Sequence, residues 1–192
     1  MENLIITNTK IYMPKDPDCT DCEDKVIMDE KVRLYEEKIG ELVGTKGGNI
    51  LEIGFGLGIS ANKIQSYEID SHVIIEKRKE IYDKAIEWAE DKENVTVYLG
   101  DWINILPELN DSFDAIYNDA DEDSKDKLSN FPEICKRLAK NECVLYMTNW
   151  GNEFLERALP YHTLENDENL QELFGTESIR IPYSTYENSD WS

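Results

Sequence analysis

Two stretches of this chain combine residue types that could hold a nucleoside. In Asn49-Ile-Leu-Glu-Ile-Gly-Phe-Gly-Leu-Gly-Ile-Ser an apolar run ends in three glycines at alternate positions. Val73-Ile-Ile-Glu76 is a second apolar run, and it ends in a carboxylate. Glycine lets the chain turn sharply after a strand and lets backbone N–H groups approach a ligand at the next helix N-terminus. A strand lying beside the first would place Glu76 where it accepts hydrogen bonds from both ribose hydroxyls, at the spacing of about twenty residues that doubly wound sheets use. A glycine triplet alone is also the mark of a strand-to-helix turn that holds nothing, so the carboxylate carries the cofactor reading. The contacts expected here are Glu52, Gly54, Phe55, Gly56 and Gly58 from the first stretch and Glu76 with Lys77 from the second.

Two further stretches supply chemistry. Gly100-Asp101-Trp102 follows a third apolar run, where Asp101 could accept an adenine amino hydrogen and Trp102 could pack on the base. Asp101 reads equally well as a helix N-cap. Phe113-Asp-Ala-Ile-Tyr-Asn-Asp-Ala-Asp-Glu122 is a run that ends in Asn118 and Asp119 and continues into two more acidic residues. Together the pattern points to S-adenosylmethionine, with Asn118 on the cofactor and the acidic edge at its methyl group. Displacement at a sulfonium needs an aligned lone pair and a dry site. A carboxylate helps when the nucleophile arrives protonated, so Asp119 is expected to anchor a guanidinium or ammonium and take up its proton. Asp121 is a second substrate candidate, although it and Glu122 also read as a solvated turn.

The elements that must position these residues alternate. Strands are expected at 50–53, 73–75, 95–99, 115–118 and 143–148, and helices at 60–65, 80–91, 102–106 and 131–139, the pattern of an α/β fold whose central, mostly parallel sheet is flanked by helices. Residues 1–25 carry Pro and Asp turn elements and read as an N-terminal arm or lid. Val26 to Val43 has the spacing of an amphipathic helix, whose apolar face could serve a lid or a homodimer. Residues 26–192 are expected to form a single domain. Past Trp150, 153–159 and 169–174 look helical and 178–186 could add a strand.

The balance of 20 Lys and Arg against 41 Asp and Glu, a net charge of −21, opposes nucleic acid and anionic lipid and suits a cationic substrate. No apolar run approaches the roughly 20 residues that span a bilayer, so a soluble, cytoplasmic protein is expected. Cys19 and Cys22 could be half a zinc site or a redox pair, but no second pair has metal spacing and no metal is expected. Cys135 and Cys143 read as core thiols. His72 and His162 show no carboxylate partner nearby in sequence and read as structural.

From 26 to 151 the chain resembles guanidinoacetate N-methyltransferase and its class I methyltransferase relatives. The resemblance rests on Leu51-Glu-Ile-Gly-Phe-Gly-Leu-Gly-Ile-Ser-Ala, Lys63-Ile-Gln, Ile69-Asp-Ser-His-Val-Ile-Ile-Glu76, Leu106-Pro before Phe113-Asp, and Thr148-Asn-Trp150-Gly151. It implies a Rossmann-like fold, S-adenosylmethionine as cofactor and N-methylation of a guanidino or amino group. It also implies cofactor contacts at Met28 and Trp102, a substrate anchor at Asp119, and Met147 and Thr148 in the substrate pocket. A second acidic residue of the family, on the helix before the sheet, falls at Val32, with Asp29 and Glu30 nearby. Ala120 and Asp121 replace the family's hydroxyl and aromatic residues, and the C-terminal strand region is shortened. A silent S-adenosylmethionine-binding interaction module and an aminopropyltransferase-like enzyme are the alternative readings.

Overall fold

The computed structural model describes residues 4–19, 22–120, 134 and 137–147. Strands β4 (Asn49–Ile53), β5 (Ser71–Glu76), β6 (Val95–Leu99), β7 (Phe113–Asn118) and β8 (Ala139–Met147) form a parallel five-stranded sheet in the order β6-β5-β4-β7-β8. Helices α2 (Ile59–Ile64), α3 (Lys79–Ala89) and the short α4 (Trp102–Ile105) fall between the strands. The expected α/β class is therefore what the chain adopts. Of the expected helix 131–139, residues 134, 137 and 138 are described and helical, while Ala139 already opens β8; everything after Met147, with Cys135 and His162, lies outside the described residues.

A parallel sheet covered on both faces favours unbroken apolar strands, and β4, β5 and β7 are buried almost throughout. Leu51, Ile53, Val73, Ile75 and Ile116 face one layer with Trp102, Leu106 and Phe113. Ile50, Ala115 and Tyr117 face the other, against Tyr35, Ile39 and Val43 of α1 (Arg33–Lys46). Cys143 lies in the first layer, where burial pushes its thiol up to about 12.

Strand order reverses at β4, which has β5 on one side and β7 on the other. Open α/β sheets bind ligands in the crevice at such a switch point, beyond the carboxyl ends of the strands. Here those ends deliver Gly54 after β4, Glu76 at the end of β5 and Asp119 after β7.

The N-terminal quarter differs from the sequence reading. The segment read as an arm contributes β1 (Ile5–Ile6) and β2 (Lys10–Met13), which join β3 (Lys25–Asp29) in a three-stranded antiparallel sheet. Ile11 is fully buried with Met28, Phe55 and Ile59. The expected helix 26–43 is thus strand over its first residues, because Ile11 and Met28 pair across β2 and β3 and bury that face, a non-local partnership that helical spacing cannot reveal. Asp29 then caps a 3-10 turn (Glu30–Val32) by accepting from Lys31 N at 3.0 Å, and α1 follows. Cys19 and Cys22 form a disulfide in the β2–β3 connection. Among the described residues no cluster of His, Cys, Asp and Glu is placed to hold a metal, and no helix is long and apolar enough to cross a membrane.

Helix α1 approaches α2 closely at Gly40. A Cβ there would sit 2.7 Å from Lys63 Cβ and 2.8 Å from the Ser60 carbonyl oxygen. Overpacking of this kind costs about 1–3 kcal/mol, against ~1 kcal/mol that alanine gains over glycine in a helix. Gly40→Ala is expected to lower the urea midpoint with the m-value unchanged; an unchanged or higher midpoint would show that the two helices do not depend on this contact.

Candidate functional site: a cofactor cleft backed by buried carboxylates

The loop from β4 to α2 is built before any ligand arrives. Gly54 and Gly56 have φ of 94° and 54°, conformations that side chains with a Cβ rarely adopt. A Cβ on Gly56 would also lie 2.4 Å from Met28 Sδ, and that sulfur accepts from Leu57 N at 3.1 Å. Met28 of β3 thus lies directly on the glycine loop. Glu76, only 5% exposed, holds the loop from the other side: Oε2 accepts from Phe55 N at 3.0 Å and Oε1 from Arg78 N at 2.7 Å. An ionised carboxylate has about four acceptor positions, so two remain for a diol.

The cleft beyond these ends is lined by Met28, Gly54, Gly56, Glu76, Lys77, Arg78, Gly100, Trp102 and Asp119, among others. It contains a glycine cradle that a Cβ would fill and a carboxylate with acceptor capacity; Trp102 borders it as a core side chain only 2% exposed, which leaves its ring little face for a base. That donor and acceptor set fits an adenosyl group: Glu76 for the ribose and the Gly54–Gly56 backbone for the amino-acid end.

Other expected contacts are engaged elsewhere. Glu52 is fully buried and does not line the cleft: Oε1 accepts from Ser60 Oγ at 2.5 Å, and Oε2 is 2.9 Å from His72 Nε2. The alternation of β4 turns Glu52 to the face opposite Leu51 and Ile53. His72 therefore has a carboxylate partner, contributed by the neighbouring strand twenty residues earlier in the chain. Phe55 gives its backbone N–H to Glu76 while its ring packs 5.3 Å from Trp88, and Gly58 starts α2 in a left-handed conformation. Asp101 accepts from Ile103 N at 3.2 Å as the α4 cap, the second of its two readings. Asn118 Oδ1 accepts from Ala120 N at 2.9 Å, bracing the turn that presents Asp119. Met147 pairs in register with Asn118 at the end of β8, while Asp121 and Thr148 lie outside the described residues.

Sequence reasoning missed Glu36. This α1 residue is 2% exposed, and its Oε2 accepts from Tyr117 Oη at 3.2 Å. Burial, then the neighbouring charges of Asp119 and Glu52, hold its carboxyl well above the usual carboxylate range. The same effects, burial first and then Asp119, raise the Tyr117 phenol. Glu36 lies one helical turn beyond Val32, the residue that caps α1. Of the other candidate positions, Val32 is core, Asp29 caps the 3-10 turn, and Glu30 pairs with Arg33 at 2.7 Å, whereas Glu36 is buried. The sequence did carry a signal, an acid on the buried stripe Val32, Ile39 and Val43.

Over residues 12–177 the chain matches the guanidinoacetate N-methyltransferase family. This chain belongs to that family. As a guanidinoacetate N-methyltransferase family member it has the class I methyltransferase fold, and S-adenosylmethionine is the family's cofactor. The chain is 33% identical over 128 residues to protein arginine N-methyltransferase 2 of Kluyveromyces lactis, across 62% of this chain and 31% of that protein. To the protein of the same name from Yarrowia lipolytica it is 29% identical over 154 residues, across 74% and 32%. It thus spans about a third of the length of these curated relatives. Among solved structures, the O-methyltransferase from Bacillus cereus in complex with SAH superposes with a TM-score of 0.54 at 24% identity, over 73% of this chain and 65% of that one. Spermidine synthase from Thermotoga maritima gives 0.54 at 13%, over 76% and 55%. At such identities both show the fold alone, which methyltransferases and aminopropyltransferases share.

Glu76 and Glu52 separate binding from support. Charged hydrogen bonds contribute about 1.5–3 kcal/mol each, so Glu76→Ala should weaken S-adenosylhomocysteine binding by about tenfold or more in calorimetry. Glu52→Gln should chiefly lower the unfolding midpoint, with affinity within about threefold. Equal affinity losses in both variants would contradict this division.

Proposed function

We propose that this chain is an S-adenosylmethionine-dependent N-methyltransferase whose acceptor is a cationic guanidino or amino nitrogen of a small molecule or a peptide. The observation that carries the reading is Glu36 buried within electrostatic reach of Asp119. A carboxyl whose proton affinity is raised by a neighbouring carboxylate makes, with it, a site for a planar or tetrahedral cation, which relieves their repulsion. The acidic surface, with a net charge of −21, concentrates cations near it.

Bound S-adenosylmethionine supplies an electrophilic methyl carbon at the cleft. Asp119 lines the cleft and would hold the acceptor at its mouth. Glu36, fixed by Tyr117, would take the opposite side of the cation. As the nitrogen–carbon bond forms, a proton leaves that nitrogen, and an Asp119 carboxylate oxygen would receive it. The relatives named as protein arginine N-methyltransferases and the match to a guanidinoacetate family support the guanidino end of this range.

Transfer of labelled methyl groups to guanidinoacetate, agmatine, arginine and an arginine-containing peptide tests the reading. Turnover is expected on at least one guanidine. Asp119→Asn and Glu36→Gln should each reduce turnover by about a hundredfold or more, as loss of general base or charge partner does, while S-adenosylhomocysteine binding stays within about threefold. Cofactor binding without turnover on any of these acceptors would favour a silent binding module.

A further inference from the structure

Strand β6, Val95-Thr-Val-Tyr-Leu99, holds no charged residue, proline or glycine, in a chain of which 32% is Asp, Glu, Lys or Arg. Among the described residues it pairs with β5 alone, in a register without a bulge. Folded proteins normally guard such an edge with a charge, a proline or a bulge, because it offers unpaired backbone groups to other chains. At the opposite edge of the described sheet, β8 does carry charges, Lys140 and Glu142.

The ladder shows which groups the edge presents. His72 N donates to Asn94 O at 2.8 Å, and Gly100 N donates to Glu76 O at 2.9 Å. Successive peptide groups of a strand point to opposite sides, so residues 94, 96, 98 and 100 bond to β5 while Val95, Val97 and Leu99 face outward. Val95 N turns back to Lys92 O at 3.3 Å. Among the described residues, the edge therefore offers N–H and C=O of Val97 and Leu99 together with the Val95 carbonyl. Side chains alternate across the strand. Val95 and Val97 pack against the cluster that holds Ile81 and Ala85 of α3, whereas Thr96 and Tyr98 lie exposed on the other face, Tyr98 by 37%, and Leu99 at the strand end by 44%.

We propose that β6 takes up an extended cationic peptide segment as an added strand, and that this segment is the arm of a substrate whose arginine enters the cleft. The inference rests on the reading of the site as an N-methyltransferase for a cationic nitrogen, and it names a docking surface outside that site. Size and charge select the occupant. Five residues give an edge of roughly 17 Å, short of the area of about 1,200 Å² or more that stable interfaces bury. A second copy would also bring another charge of −21 against the first, whereas a basic peptide is drawn by it. Glu93 and Asp101 flank the strand, and Lys92, next to them in sequence, is already paired with Asp91 at 2.5 Å. Backbone bonds to a sheet edge then give affinity to an extended peptide, and the exposed side chains give selectivity.

Delivery to the cleft follows from the strand order. Gly100, the residue after β6, lines the same cleft as Asp119. From β6 to β7 there are three strand spacings, about 14 Å, which an extended chain crosses in about four residues. The arginine is thus expected about four residues beyond the docked stretch.

Methyl transfer by the full chain is compared on agmatine, on a peptide of alternating lysine and valine with an arginine about four residues further on, and on that peptide N-methylated at alternate backbone nitrogens. N-methylation removes the ladder donors and keeps the charge, so KM should rise about tenfold or more with kcat within about twofold. Leu99→Pro deletes an outward N–H at an edge, where proline is tolerated. Thr96→Lys adds a repelling charge on the exposed face and serves if the first variant fails to fold. Each should raise the peptide KM about tenfold, while agmatine turnover and S-adenosylhomocysteine affinity stay within about twofold. Amide exchange at Val97 and Leu99 should slow about tenfold or more when the peptide binds. Equal KM for the two peptides, or no protection at Val97 and Leu99, would overturn the docking and leave the acceptor reading standing. Sedimentation of the parent as a dimer and of both variants as monomers would overturn it in favour of a second copy. Protection without methyl transfer to peptide or agmatine would support the edge as a peptide site and overturn the acceptor reading, and with it the substrate role.

Discussion

Glu52 is an acidic residue in the centre of a strand covered on both faces, and much of the surrounding structure satisfies it. A buried carboxylate without hydrogen bonds costs several kcal/mol, yet here both oxygens are occupied, one by Ser60 and one by His72. These partners come from the helix after β4 and from the adjacent strand β5. Register makes the arrangement possible. Glu52 stands opposite Tyr117 across β4 and β7, while His72 is paired with Ile50, diagonal to Glu52 on the same face. One layer of the sheet is accordingly polar at its centre and apolar around it.

That layer also carries Glu36 towards the carboxyl edge of the sheet. Gly40 permits α1 to lie against α2, and Glu36, one turn earlier, thereby reaches Tyr117. The opposite layer is a conventional apolar core, and its wall ends in Trp102 at the cleft. The switch point of the strand order separates the two tasks. Nucleoside contacts gather where β4 and β5 end, while acidic groups gather where β7 ends and α1 passes. The N-terminal antiparallel sheet closes the first of these regions through Met28, whose sulfur accepts from the glycine loop.

The parts legible in the sequence were those that depend on neighbours along the chain. The glycine loop, the Glu76 carboxylate and the strands around them follow from apolar runs and glycine punctuation. Asp119 follows from a strand that ends in an acid. Glu36 was not legible in that way, because nothing within α1 distinguishes it from the solvated Glu37 and Glu41 except its place on the buried stripe. The pairing of His72 with Glu52 was hidden for a related reason: two strands must lie side by side in one register before the residues meet. The β3 strand was misread because helical spacing in Val26 to Val43 is a local property, and pairing with β2 outweighs it.

The sequence by itself therefore determined the α/β class, the cofactor cleft and the acidic edge, since strand alternation, glycine turns and net charge are properties of contiguous residues. Only the tertiary structure decided which acids face one another. It withdrew Glu52 from the cleft into a bond with His72, made Asp101 a cap, and brought Glu36 from a distant helix into the field of Asp119. Electrostatic coupling depends on distance through a low-dielectric interior. That distance is set by the approach of α1 to the sheet, which no spacing along the chain encodes.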